Sequence, residues 1–246
     1  MSWKQSFRRE IAKFDGRIVV TFMLACMVII TYQYYFQSPI DYFQSLVRKV
    51  SADEALLYQS MAWHLGSFFM LMIVPITSMG IMNRFSARKF SPYKYTFKLG
   101  DYKTGIKLAL LFAVITVGIH LLLVAFGVIV ADIYPACKSQ LIRRYFLVFV
   151  LFECSQCLYM TGFEYFFRGF LLIEAQAVFG NNALAITLLP YIIIKFGKPP
   201  VEIYTAIIVG LVLGYMTIRT RSFWYAALAH SLLATAVDVF AVYAGG

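Results

Sequence analysis

The stretch that decides the fold runs from residue 146 to residue 173 and has the sequence FLVFVLFECSQCLYMTGFEYFFRGFLLI. It is dominated by apolar and aromatic side chains, yet it contains Glu164 and Arg168, four residues apart. This spacing places the carboxylate and the guanidinium on the same face of a helix, one turn apart. An ionisable side chain inside a membrane helix is costly unless it is paired or faces a wet cavity, so the pair is a candidate functional site.

The composition of the whole chain indicates an integral membrane protein. Of its 246 residues, 61% are hydrophobic and 14% are charged, and the mean hydropathy is +0.73. Soluble domains carry about 25% charged residues. A chain of this length accommodates about seven helices of roughly 20 residues each. We therefore predict an all-α fold, a polytopic membrane helix bundle of about seven transmembrane helices, with no soluble domain between them.

Seven apolar segments are the predicted spans: 18–36, 61–82, 108–131, the long helix that opens at Tyr145, 183–196, 203–218 and 223–243. Asn181 and Asn182 mark the break before the fifth span. Residues 197–200 form a tight turn, because the two prolines there cannot continue a helix. We expect an N-terminal three-helix membrane segment, 1–144, and a core of four helices, 145–246, within one integrated membrane domain.

The net charge of +10 is concentrated in alternate loops. The N-terminal segment and loops 83–107 and 219–222 together carry about +11, and the opposite loops about +1, a bias typical of cytoplasmic loops. The bias predicts a cytoplasmic N-terminus in a bacterial cytoplasmic membrane, with the C-terminus on the far side. Loop 83–107 either only fixes this orientation or also contacts anionic lipid headgroups. We expect the lipid bilayer as a partner and no nucleic acid.

Polar residues are unusually dense in the last four predicted spans and at their edges: Glu153, Glu164, Arg168, Glu174, Lys195, Glu202, His230 and Asp238. Glu153 lies eleven residues before Glu164, about three helical turns, so both fall on one stripe that must face the bundle or water. His230 and Asp238, eight residues apart, project on similar faces of the last helix. The Glu164–Arg168 pair alone is either a structural clamp or part of an active site. The whole set predicts a hydrated polar cavity.

The other polar side chains have simpler interpretations. Lys195 either snorkels to the membrane interface or faces the cavity, where Glu202 across the proline turn is its expected partner. His64 and His120 are assigned to hydrogen bonding between helices. Cys154 and Cys157 form a CxxC without a second pair, which favours packing over a redox or metal role.

The order of three motifs resembles the CAAX protease and bacteriocin-processing family of intramembrane proteases, whose motifs are EExxxR, FxxxH and HxxxN (or Asp). The first corresponds here to residues 163–168, the second to Tyr191 through Lys195 and the third to His230 through Ala234. The resemblance covers roughly residues 145–243. It identifies the chain as a divergent, single-glutamate member.

The resemblance also shows three departures. In the family, the first glutamate is thought to activate water, assisted by the histidines, and the asparagine stabilises the oxyanion. Here Phe163 replaces that glutamate, Lys195 replaces the histidine of the second motif, and Ala234 replaces the asparagine.

The resemblance implies an intramembrane endopeptidase, a hydrolase acting on a membrane-anchored protein or peptide substrate. In this hypothesis Glu164 is the general base that polarises water, Arg168 orients Glu164 or holds the end of the substrate, and His230 donates to the oxyanion. These are the three residues that carry over from the motifs. The candidates for supporting roles are Tyr191, Lys195, Glu202 and Asp238.

Two alternatives stay open. The departures favour a catalytically inactive relative that acts as a membrane scaffold, chaperone or immunity-type protein. A small proton-coupled transporter would also explain buried ionisable groups, but it predicts an internal repeat, and the sequence shows none. We expect no cofactor: zinc is possible, but one histidine with scattered carboxylates is a poor zinc ligand set.

Overall fold

The computed structural model of the chain describes Trp3 and residues 15–36, 50–85, 97–127 and 137–243. In this part of the chain the principal elements are α1 Gly16–Thr31, α2 Ala52–Phe68, α3 Val74–Phe85, α4 Tyr102–Ala125, α5 Leu141–Arg144, α6 Phe146–Glu164, α7 Ile173–Phe179, α8 Ala183–Ile193, α9 Pro200–Thr220 and α10 Trp224–Tyr243. Three π-helical segments continue or join them: Tyr32–Phe36 after α1, Phe69–Ile73 between α2 and α3, and Tyr165–Leu172 between α6 and α7.

Six segments of the described chain are long and apolar enough to cross a membrane: Gly16–Tyr34, Ala52–Arg84, Tyr102–Ala125, Phe146–Ile193, Pro200–Thr220 and Trp224–Tyr243. The described residues form helices and turns without strands. The predicted all-α polytopic membrane bundle is therefore confirmed, and the chain is an integral membrane protein.

The longest of these segments, Phe146–Ile193, folds back on itself. Its 48 residues would extend about 72 Å as one helix, more than twice the roughly 30 Å hydrocarbon core of a bilayer. The chain reverses at Gly180, whose φ of 56° glycine adopts without steric cost. After this break α8 packs back against α7 and the π-helical segment Tyr165–Leu172. The predicted break before residue 183 is thus present, and it divides this segment into two helical passes, so that the described residues form seven passes from six segments.

Two helices begin earlier than their predicted spans, because polar residues cap them. The span predicted at 61–82 belongs to a helix that starts after Ser51, whose hydroxyl accepts from the Glu54 amide while the Glu54 carboxylate accepts from the Ser51 amide. The span predicted at 108–131 starts after Asp101, whose carboxylate also accepts an amide of the first turn. Positions 128–131 lie outside the described residues.

α6 is the central helix of the bundle. It packs against α2 on one side and α10 on the other, while α10 also packs against α4, and α8 packs against α9. At the α2–α6 contact, His64 Nδ1 lies 2.8 Å from Ser155 Oγ, which confirms the predicted hydrogen bonding between helices for this histidine. The polar stripe of α6 consequently faces α10 inside the bundle.

One end of the bundle joins the loop before α4 to the loop after α9. The Asp101 amide donates to the Thr220 carbonyl at 3.0 Å, and the Tyr225 hydroxyl donates to the Leu99 carbonyl at 2.6 Å. Arg219 and Asp101 form an exposed ion pair at 3.9 Å. Two loops predicted to be cytoplasmic therefore lie at the same end. Most basic residues before α1 and between 86 and 96 fall outside the described residues, so the orientation stays a prediction.

Candidate functional site

Glu164 and Arg168 form the centre of the candidate site. Glu164 ends α6, and Arg168 lies in the π-helical segment that follows it. The Arg168 Nε and Glu164 Oε2 atoms are 3.2 Å apart, and the two side chains are 3% and 0% exposed. π-Helical segments inside α-helices occur frequently at functional sites. The ion pair predicted from the i,i+4 spacing is therefore present and fully enclosed.

His230 on α10 contacts the other oxygen of the same carboxylate. Its Nδ1 lies 2.7 Å from Glu164 Oε1, and 12% of its side chain is exposed. An ionised carboxylate can only accept, so Nδ1 carries the proton, and in a neutral imidazole the lone pair is then on Nε2. The carboxylate thus orients the imidazole with Nε2 directed away from Glu164.

Arg168 is held between an aromatic ring and the backbone of α9. Its guanidinium carbon lies 4.1 Å from the centre of the Tyr191 ring, within the range of a cation–π interaction. Its Nη2 donates to the Gly210 carbonyl at 3.4 Å. A β-carbon at Gly210 would come within 2.9 Å of the Tyr191 ring and 2.6 Å of Leu188. Glycine is therefore required for α9 to approach this closely.

The Glu164–Arg168 ion pair does not satisfy all of its own polar atoms. Glu164 Oε2 is within ion-pair distance of Arg168 but lacks a hydrogen bond of acceptable geometry, and Arg168 Nη1 has no partner among the described residues. Buried polar atoms are normally satisfied, so two enclosed unsatisfied atoms in one pair are unusual. A cavity of about 10 Å³ borders Arg168, Tyr191 and Gly210, enough for one water molecule. The arrangement can accept water or a polar ligand atom.

Lys195 points toward this site. Its Nζ lies 4.7 Å from the centre of the Phe163 ring and 6.0 Å from that of Tyr191. The ion pairs of the described residues do not include one between Lys195 and Glu202, so the expected partner is not in direct contact and interacts with Lys195 only through its charge. Glu202 instead lies in the first turn of α9, where the helix dipole favours a negative charge.

Asp238 belongs to a separate set of contacts further along α6 and α10. The Gln156 amide donates to Asp238 Oδ2 at 2.9 Å, and the Thr235 hydroxyl donates to Glu153 Oε2 at 2.6 Å. The structure therefore brings Glu164, Arg168, His230, Tyr191 and Lys195 together, and it leaves Glu202 and Asp238 outside this group.

Sequence reasoning missed Gly210, whose carbonyl accepts from Arg168. The signal was available, because Gly210 and Gly214 have the spacing that allows close approach of membrane helices. It also missed Gln156 as the partner of Asp238.

The donor set does not fit a metal ion. In the part of the chain that the structure describes, no three His, Cys, Asp or Glu side chains converge. Beside Glu164, His230 is a nitrogen ligand, but Phe163 and Lys195 occupy the neighbouring motif positions. A zinc site needs three or four firm ligands, so no metal takes part in the mechanism considered below.

One comparison with known proteins finds a similarity to a family over part of the chain. The family model described as "Type II CAAX prenyl endopeptidase Rce1-like" matches residues 143–236. The matched region extends from the end of α5 into α10 and contains all five residues of the group around Glu164. No curated protein and no solved structure matches the chain.

Proposed function

We propose that this membrane protein is an intramembrane endopeptidase, because residues 143–236 match the family model described as "Type II CAAX prenyl endopeptidase Rce1-like". It hydrolyses a peptide bond in a membrane-anchored protein or peptide. The observation that carries this proposal is the 2.7 Å contact between Glu164 Oε1 and His230 Nδ1, in a buried site whose polar atoms are incompletely satisfied.

In this mechanism Glu164 activates water through His230. Glu164 is 0% exposed and its two oxygens face Arg168 and His230, so water meets the pair at Nε2 of the imidazole. Nε2 takes a proton from the water, whose oxygen attacks the carbonyl carbon of the peptide bond. The Glu164 carboxylate stabilises the resulting imidazolium, which then gives its Nε2 proton to the leaving amine. The sequence expectation of a direct base is thereby replaced by a carboxylate–imidazole pair.

The neighbouring cations have distinct roles in this proposal. Arg168 fixes the Glu164 carboxylate, and Tyr191 fixes Arg168 by stacking on its guanidinium. Lys195 stands at the edge of the same group, since the Phe163 ring it covers is 5.9 Å from the His230 ring, centre to centre. Its ammonium supplies the positive charge that stabilises the oxyanion of the tetrahedral intermediate.

The test compares His230→Gln with His120→Gln, the same substitution at a histidine outside the site. Each purified protein is reconstituted in liposomes with membrane proteins extracted from the expression host, and new peptide termini are quantified by mass spectrometry. Because a general base contributes about 10²–10⁴-fold to the rate, His230→Gln should lose the termini that the wild type and His120→Gln produce. Equal production by His230→Gln would exclude the mechanism.

The inactive relative remains a second candidate, favoured by one observation. The Phe163 ring is 1% exposed and packs within 5.9 Å of Tyr159 and 4.9 Å of Phe167, centre to centre. An aromatic core residue therefore fills the position at which the family carries its first glutamate. A scaffold of this kind would produce no new termini in the wild type or in either variant.

A further inference from the structure

A second polar region lies between α6 and α10, toward the start of α6. We call it the α6–α10 seam and define it by Glu153, Gln156 and Cys157 on α6 and Ser231, Thr235 and Asp238 on α10. Its two hydrogen bonds join the helices directly, Thr235 to Glu153 and Gln156 to Asp238. The mechanism proposed above uses none of these side chains.

The seam extends from the candidate site toward the start of α6 as far as Glu153. Glu153 lies eleven residues before Glu164, about 16 Å along the helix axis, and about 10 Å from the start of α6. On α10, Ser231 directly follows His230, and Thr235 lies one turn further. Polar groups are therefore present along the stretch between Glu153 and the imidazole, whereas the first two turns of α6 are apolar.

The seam contains a polar atom that takes no part in the hydrogen bonds between the two helices. Glu153 is 7% exposed, and only its Oε2 is bonded. Its Oε1 is enclosed and has no hydrogen-bond partner among the described residues, whose ion pairs do not include Glu153. A buried carboxyl oxygen without a donor is destabilising, and an ordered water is the usual solution. The other oxygen of the same carboxyl is bonded across the seam to Thr235, so we infer water as the ligand of Oε1.

Two cysteines mark the inner and outer sides of α6. Cys157 is half-buried, follows Glu153 by four residues on the same face, and its thiol faces the hydroxyls of Thr235 and Ser231. Cys154 is exposed on the outer surface, which faces lipid in a membrane. The modification rates of the Cys157 and Cys154 thiols can therefore be compared to tell whether the seam contains water.

We propose that the α6–α10 seam is a hydrated crevice that holds water between Glu153 and His230. Glu153 and Thr235 hold the water through the free Oε1 atom and the hydroxyl. The use of this water as the reactant rests on the proposed peptidase function, whereas the hydration of the seam does not.

The experiment measures thiol modification in single-cysteine proteins reconstituted in liposomes. One protein keeps only Cys157 and the matched control keeps only Cys154, with the remaining cysteines changed to serine. A charged, membrane-impermeant methanethiosulfonate reagent, present on both sides, reacts only with thiols that contact water. We expect Cys157 to be modified at least tenfold faster than Cys154. Equal rates would overturn the proposal.

A second step tests the residues that hold the water. In the Cys157 protein, Glu153→Leu and the nearly isosteric Thr235→Val should each slow modification severalfold, and Glu153→Gln should preserve it. Thr235→Val decides the question if Glu153→Leu fails to fold, and unchanged rates would overturn the role of these side chains. Labelling needs no peptidase activity, so hydration and hydrolysis can fail separately.

Discussion

The buried ion pair makes Arg168→Met the sharpest test of the structure. The substitution keeps an apolar stem but leaves the Glu164 carboxylate, which is 0% exposed, without its cation. Removing one partner of a buried pair costs about 3–5 kcal/mol. We expect the lower end, about 3 kcal/mol, because Glu164 Oε1 keeps its contact with His230 and because the pair lacks a well-aligned hydrogen bond.

The double variant Glu164→Gln/Arg168→Met distinguishes two causes of the loss in stability: an unpaired buried charge and the loss of packing by the arginine side chain. It removes both charges, so it should unfold less readily than Arg168→Met alone, with a coupling energy of about 1–3 kcal/mol. The free energies of unfolding are measured by titrating the purified protein in mixed micelles with sodium dodecyl sulfate while following circular dichroism.

Arg219→Met is the matched control, because Arg219 is 55% exposed and lies 3.9 Å from its partner Asp101. Exposed pairs contribute little to stability, so this variant should unfold like the wild type. The reasoning is refuted if Arg168→Met and Arg219→Met unfold alike, or if the effects of Glu164→Gln and Arg168→Met simply add.

Two further predictions concern the bundle. A β-carbon at Gly105 would overlap the Tyr225 ring, whereas one at Gly118 would meet no atom within 4 Å; Gly105→Ala should therefore lower the thermal midpoint, at a cost of about 1–3 kcal/mol, and Gly118→Ala should leave it unchanged or raise it. In intact cells, an impermeant thiol reagent should modify Lys198→Cys but not Arg219→Cys in a background without native cysteines, since the charge bias puts these loops on opposite sides. Labelling of both would reject the seven-pass topology.

The spacing of residues along one helix is sufficient to predict contacts that form within that helix. The i,i+4 spacing of Glu164 and Arg168 was sufficient to predict their pairing, because the chain geometry alone brings them together. Hydropathy likewise predicted the passes, and the two asparagines predicted the break at residue 180. The helix starts were set too late, because Ser51 and Asp101 act through capping bonds that an average hydropathy does not register.

The residues at the ends of helices were harder to predict. Lys195 was expected to pair with Glu202 because the two are close in sequence. The orientation of the Lys195 side chain depends instead on the position of the Phe163 ring on α6. This position is set by the packing of segments that are distant in sequence. Asp238 shares a helix with His230 but contacts Gln156, since two turns of α10 carry it past Glu164. Roles for these side chains follow from tertiary packing and not from spacing.

The short pass after Gly180 has a consequence for the bilayer itself. The 11 residues of α8 span about 16 Å. The turn that follows ends beside the π-helical segment after α1, where the Gln33 amide donates to the Phe196 carbonyl at 3.4 Å. This pass is thus well short of the roughly 30 Å that lipid tails occupy. Because a short pass can be matched by thinning of the bilayer, at a fraction of a kcal/mol per ångström, we expect the lipids next to α8 to thin. We expect the protein to reside preferentially in thin bilayers.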